Sequence, residues 1–295
     1  MRNLRFPLLA SCLFGMGTIS APAALWIYEP FNYSTGVLAG NSGATGLDTT
    51  TGWFSSGSNQ QRVTSSGLSF TGLSTTGNMA ERTSASGGAH SGITLTSAAQ
   101  TALTQSGTSI YFTFLVRTDR FSTNHENLTL AFGTDSLDTT TGADNGNQSS
   151  ISGIGNGFGF SIDSANPGNS FDFHGYQSVG GTDSISGSFF DSGTTSAVYL
   201  VAGQIDWVAT GNDTLSLFNI TDVTATSAPA AFATMSADFD QTTFDTISFE
   251  SRQIAVIDEI RFGTSWADVG LSIVPEPSAA LLGSLGAFLL LRRRK

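Results

Sequence analysis

Cysteine is almost missing from this chain: Cys12 is the single one in 295 residues. From residue 13 onward no disulfide can form within the chain and no thiolate can hold a metal, so a folded body must rest on its own apolar core. Lysine is scarcer still in effect, because the one lysine is the last residue, Lys295. Six of the 12 cations lie in the two termini, which leaves six arginines against 22 carboxylates between residues 24 and 274, a balance of −16. Nucleic-acid binding rests on cations aimed at phosphates, and such a surface excludes it. Histidine occurs three times, as His90, His125 and His174, without the close pairing that zinc sites use. No Gly-x-Ser-x-Gly elbow and no long amphipathic helical period are present. Threonine is plentiful but forms no regular Thr-x-Thr array.

What is present is glycine, serine and threonine between short runs of alternating bulky residues. That pattern is the signature of a turn-rich β protein. The two ends stand apart from it. Arg2 and Arg5 precede an apolar stretch from Phe6 to Ile19, and Ala21 and Ala23 supply the small residues of a cleavage site. Residues 1–23 therefore read as a secretory signal peptide, cut after Ala23. Leu9-Ala10-Ser11-Cys12 offers a lipobox as the rival reading, but only six apolar residues precede Cys12 and the run continues past it.

Residues 274–295 carry Pro275-Glu276-Pro277, an apolar run from Ser278 to Leu291, and then Arg292-Arg293-Arg294-Lys295. As a helix the run spans about 21 Å at 1.5 Å per residue, short of a hydrocarbon core of about 30 Å. It reads as a short transmembrane helix whose cations stay on the cytoplasmic side. The tripeptide, run and basic end in this order resemble the PEP-CTERM sorting signal of exported bacterial proteins, a tail also named an ice-binding-protein C-terminal domain. The resemblance implies processing near the Pro-Glu-Pro by an exosortase-type enzyme, transient membrane anchoring, and association with exopolysaccharide or biofilm material.

The body, residues 24–273, reads as one antiparallel β-sandwich. Strands are expected from Leu25 up to Pro30, which ends the first, and at Gly67–Leu73, Ser109–Thr118, Asn127–Gly133, Gly157–Ile162, Ser170–His174, Ser196–Val208, Asp213–Ile220, Phe244–Glu250 and Ala255–Gly263. The rest of residues 55–109 carries little signal. The closing phrase from Ile257 to Val269 resembles the last strand and exit of concanavalin-like, or laminin-G-like, jelly rolls. Tyr199–Trp207 with Asp213–Ile220 resembles that fold's central hairpin.

Chemistry is sparse. Glycoside hydrolases on such a sandwich carry carboxylates alternating on one strand, so that two lie about 5 Å apart as acid and nucleophile. The candidates here are Asp238 and Asp240, in a setting that favours a turn, and the adjacent Asp258 and Glu259, which strand alternation sends to opposite faces. Neither makes a catalytic pair. Asp258 itself reads as a partly buried carboxylate bonded to loop amides. Asp135, Asp138, Asp144 and Asn145-Gly146-Asn147 form an oxygen-rich stretch that could hold Ca²⁺, although its spacing is not an EF-hand. Gly153–Gly157 reads as a turn and not a phosphate cradle, and Trp53, Trp207 and Trp266 as core residues. The expectation is a non-enzymatic exported surface or matrix protein; the alternatives are a lectin-like polysaccharide-binding module, calcium-assisted, and more remotely a glycoside hydrolase.

Overall fold

The structure is a computed structural model that describes residues 24–56, 60–82, 89–118, 127–135, 154–163, 171–191, 196–251 and 255–273. Both terminal signals, Asp138, Asp144 and His125 lie outside these residues. In chain order the strands are β1 (Leu25–Glu29), β2 (Gly36–Val37), β3 (Phe54–Ser56), β4 (Arg62–Thr64), β5 (Met79–Glu81), β6 (Ala89–Thr94), β7 (Ser109–Thr118) and β8 (Asn127–Asp135). Then follow β9 (Ile154–Asp163), β10 (Phe171–Val179), β11 (Thr182–Asp191), β12 (Val198–Asp206), β13 (Asp213–Ile220), β14 (Ala233–Ala237), β15 (Thr246–Ser251) and β16 (Ala255–Gly263). One α-helix, α1 (Ser97–Leu103), is capped by Thr96, whose hydroxyl accepts from the Ala99 amide, and buries Ala99 and Leu103 one turn apart.

Two antiparallel sheets face each other in a jelly-roll sandwich. The nine-stranded sheet runs β14-β13-β12-β7-β16-β5-β4-β2, with β1 also paired to β16; the seven-stranded sheet runs β11-β10-β9-β8-β15-β6-β3. Alternate residues of both sheets meet between them in a core dominated by aromatics. Phe112 stacks on Phe262 at 5.1 Å, and Phe158 meets Phe239 edge-on at 4.7 Å. Trp53 and Trp207 lie in the same core.

A second apolar cluster lies on the outer face of the nine-stranded sheet. Tyr111, Leu115, Leu200, Phe218 and Val256 point outward there and are roofed by Leu68 and Leu73 of the 65–78 loop and by Trp266, Val269, Leu271 and Ile273. The expected strand at Gly67–Leu73 is therefore a loop. Its Leu68 and Leu73 are buried not by strand pairing but as lids on the outer face of the nine-stranded sheet. The closing segment is pinned as well: the Thr113 hydroxyl donates to the Val269 carbonyl, and the Ser272 amide donates to Val223.

Three further expectations change. Ile154 to Gly157 is strand, not turn, because β9 pairs with β8 at both ends of this stretch, Ile154 opposite Asp135 and Gly157 opposite Gly133, and meets β10 at Gly157. The β12–β13 hairpin forms as expected, but it lies toward one edge; β7 and β16 hold the centre. The low-signal segment supplies β3 to β6 and α1, while β11 and β14 also escape the sequence reading. β14 crosses beside β11, and Gly187, at φ +72°, permits it: a Cβ there would stand 2.6 Å from the Ala233 Cα.

Candidate functional site

A surface cleft lies where β1 ends. It has a volume of about 220 Å³ and is lined among others by Tyr28, Glu29, Asn32, Tyr33, Ser42 and Thr45. Its floor is a buried carboxylate. Glu29 accepts from the Phe31 amide at 2.6 Å, the Tyr33 hydroxyl at 2.7 Å and the Trp53 indole at 2.9 Å. The first of these bonds closes the turn at Phe31, which is in a left-handed conformation, φ +49°, with its ring wholly buried. Burial pushes the Glu29 carboxyl above the usual carboxylate range, although all three donors act the other way. The Tyr33 phenol is raised too, first by burial and then by the facing Glu29.

Beside the cleft, β16 breaks its alternation. Its register with β7 shifts between Asp258 and Arg261, and Glu259 sits at φ +54°. The extra residue is a β-bulge, which reverses side-chain parity. Val256 faces the outer cluster, whereas Ile260 and Phe262 face the main core. Asp258 and Glu259 therefore do not oppose each other across the sheet, as alternation predicts; both reach the same loop. Asp258 accepts from the Leu68 amide at 2.7 Å and the Glu259 amide at 2.7 Å. Glu259 accepts from the Thr76 amide at 2.5 Å and from the Arg261 guanidinium at 2.6 Å. Arg261 also donates to the Ser74 carbonyl and lies over the Tyr28 ring, 5.0 Å from its centroid. Asp258 is wholly buried, and burial, with help from Glu259 and Glu29, pushes its carboxyl up to about 8. The expectation of a partly buried Asp258 bonded to loop amides thus holds, with burial complete.

The same arrangement recurs. Asp213 accepts from the Val208 and Phe239 amides, and Asp268 from the Thr264 and Ser265 amides. These carboxylates fasten loops to strands, as disulfides do elsewhere, and each accepts backbone N–H donors. Asp238 and Asp240 are exposed on either side of the buried Phe239, and Asp240 caps a short 3₁₀ turn through the Thr242 amide. The turn expected there is present, without the strand that would align two carboxylates.

Asp135 lies on the outer face of the seven-stranded sheet. His90 contacts it at 2.7 Å, with both side chains buried, and the Ser248 hydroxyl donates to the same carboxylate oxygen. Neighbouring Thr129 and Ser161 share a hydrogen bond at 3.2 Å. The serine hydroxyl and the imidazole thus meet on one carboxylate oxygen of Asp135. His174 contacts the Gly187 carbonyl at 2.6 Å, on the β10–β11 hairpin. Among the described residues no three His, Cys, Asp or Glu side chains converge on a metal-sized site. Trp53, Trp207 and Trp266 are all buried. Sequence reasoning missed Glu29 and the His90–Asp135 contact. The run Glu29-Pro30-Phe31 held a clue to the first; the second joins residues 45 positions apart and leaves no local trace.

Neither a family model nor a curated protein sequence matches the chain. Solved structures do overlap it. A protein of unknown function from Shewanella oneidensis MR-1 is 12% identical at a TM-score of 0.42, covering 77% of this chain and 81% of that one. Peanut lectin is 14% identical at 0.38, covering 71% and 98%. Carbohydrate-binding module CBM66 from Bacillus subtilis is 12% identical at 0.32, covering 61% and 84%. Similarity of this extent assigns no family, ligand or activity to the chain, and the jelly-roll assignment rests on the pairing of its own strands.

Proposed function

We propose that the chain is an exported, non-enzymatic surface or matrix protein, sorted by its PEP-CTERM-like tail, whose acidic sandwich meets polysaccharide outside the cell. One observation carries this reading: Pro275-Glu276-Pro277, an apolar run and Arg292 to Lys295 stand in that order at one end, and Arg2 and Arg5, an apolar stretch and Ala21 and Ala23, the pattern of a signal peptide, at the other. The engagement of Glu29, Asp213, Asp258, Glu259 and Asp268 with loop amides supports a structural use of these acids. Intact mass and cell fractionation test the proposal together. The expected result is a chain outside the cytoplasm that begins at Ala24 and is trimmed near Pro275 when an exosortase-type enzyme is present. A stable, untrimmed cytoplasmic pool would overturn it.

A second reading, a carbohydrate-binding module, is favoured by the cleft at the end of β1. Two tyrosines, an amide side chain and two hydroxyls offer the mixture of ring faces and hydrogen-bonding groups that sugars require. Polysaccharide pull-down with wild type and Asn32→Ala is the test. Loss of one ligand hydrogen bond, worth about 1 kcal/mol, weakens binding roughly fivefold. A parallel arm with chelator probes calcium held by Asp135, Asp138 and Asp144. Binding unchanged in both arms would remove the cleft and the cation from the account.

A further inference from the structure

The cleft at the end of β1 holds a charge that its own lining does not match. Glu29 lines it and is 1% exposed. The carboxylate receives the Phe31 amide on Oε1 and the Tyr33 hydroxyl and Trp53 indole on Oε2, and all three donors are uncharged. A carboxylate accepts about four hydrogen bonds, so three donors suit the ionised form and leave it short of a cation. Among the described residues that line the cleft there is no Lys, Arg or His. Arg261 lies over the Tyr28 ring, but its charge is matched by Glu259 at 2.6 Å.

A cleft of one sign focuses its field into the opening, because protein walls screen less than water does. The walls here include Tyr28 and Tyr33, whose rings favour a cation over an anion. Asn32, Ser42 and Thr45 add side chains that hydrogen-bond to hydroxyls. The body around them carries −16 between residues 24 and 274.

We infer that the cleft takes an amino sugar in its ammonium form, with the positive nitrogen turned toward Glu29 and the neighbouring hydroxyls on Asn32, Ser42 and Thr45. The inference rests on the reading of this cleft as a polysaccharide site and names the class of sugar. It excludes uronic acids and sulfated sugars, whose charge Glu29 repels. A bound ammonium also offsets the burial that works against the Glu29 charge. Acetylation of the nitrogen removes the cation, and the selectivity goes with it.

The test titrates the full chain, in a neutral detergent, with a glucosamine hexamer, its N-acetylated counterpart, a galacturonate hexamer and a lysine pentapeptide. Thr45→Lys puts a cation at an exposed position on the cleft, and Thr234→Lys makes the same charge change at an exposed position on β14. The glucosamine hexamer is expected to bind about tenfold tighter than the N-acetylated one. The galacturonate does not bind, Thr45→Lys abolishes the preference, and Thr234→Lys keeps it. Equal binding of glucosamine and N-acetylated hexamers, both weakened by Asn32→Ala, leaves a cleft for neutral sugars and overturns the inference alone. Equal losses from Thr45→Lys and Thr234→Lys, or equal binding of the lysine pentapeptide, mark a diffuse attraction of cations to an acidic surface and overturn it too. Binding of no hexamer, or binding that Asn32→Ala leaves unchanged, removes the reading of the cleft together with the inference.

Discussion

At the scale of single residues, buried acids decide the pH response. The folded protein holds the Asp258 proton up to about 8, against 3.8 for an ordinary aspartate. Below about 4 the carboxyl is protonated in both states and this contribution to stability is fully present. Between about 4 and 8 the unfolded chain has lost the proton that the folded chain keeps, so stability falls as pH rises. Glu29 is shifted in the same direction. Thermal melting should therefore decline from pH 5 to pH 8 and level off above. A change of about 1 kcal/mol moves Tm by about 2–4 °C for a domain of this size. Asp258→Asn should lower stability at pH 5, because one of its two amide donors then faces an NH₂, and should flatten the decline. A Tm that rises across this window would contradict the assignment. Glu29→Gln turns one of the oxygens receiving Phe31, Tyr33 and Trp53 into a donor. The expected loss is about 2–3 kcal/mol, read as a lower denaturant midpoint at unchanged slope.

At the scale of elements, the 65–78 loop behaves as part of the core. Gly77 sits at φ +83°, and a Cβ there would stand 2.2 Å from the Pro30 carbonyl oxygen. Gly211, at φ +93°, has open space around it. Gly211→Ala should cost only the left-handed strain of about 1–2 kcal/mol. Gly77→Ala should cost clearly more and expose the backbone near Leu68 and Leu73 to hydrogen exchange. Equal costs would mean that the loop does not bear on β1. Trp266→Ala removes the largest side chain roofing Tyr111 and Phe218, and about 3–5 kcal/mol is expected from the cavity it leaves. These elements also mark the reach of sequence reasoning. Strands β7, β13 and β16 were legible because aromatic and aliphatic residues are dense over eight or more positions. β4 and β5 span three residues each, too short for any period, and β11 opens Thr-Asp-Ser-Ile-Ser-Gly before Phe189 and Phe190, two adjacent aromatics that make no alternating stripe. Leu68 and Leu73 looked like strand residues because burial under a roof leaves the same apolar mark as burial in a sheet. The staple at Asp258 and Glu259 was hidden by the bulge, since one inserted residue reverses every parity argument beyond it.

At the scale of the whole molecule, charge and missing disulfides set behaviour. With a body balance of −16, raising ionic strength from about 10 mM to about 150 mM should increase Tm by screening self-repulsion. Reducing agent should leave Tm unchanged, because Cys12 is the one cysteine. A chain that melts lower in salt would show that attractive ion pairs outweigh repulsion.

The buried position of Ile273 bears on how such a protein would be released. Ser272 is tied to Val223 and Ile273 is packed within the outer cluster, so the last described residue belongs to the folded body and one residue in sequence, Val274, stands between it and Pro275. If the proposed function holds and the tail is trimmed, cutting near Pro275 meets a body whose last turn is anchored. Four glycine-serine residues inserted after Ile273 should then hasten trimming without touching the Pro-Glu-Pro, and an unchanged rate would show that the packing of Ile273 does not restrain it.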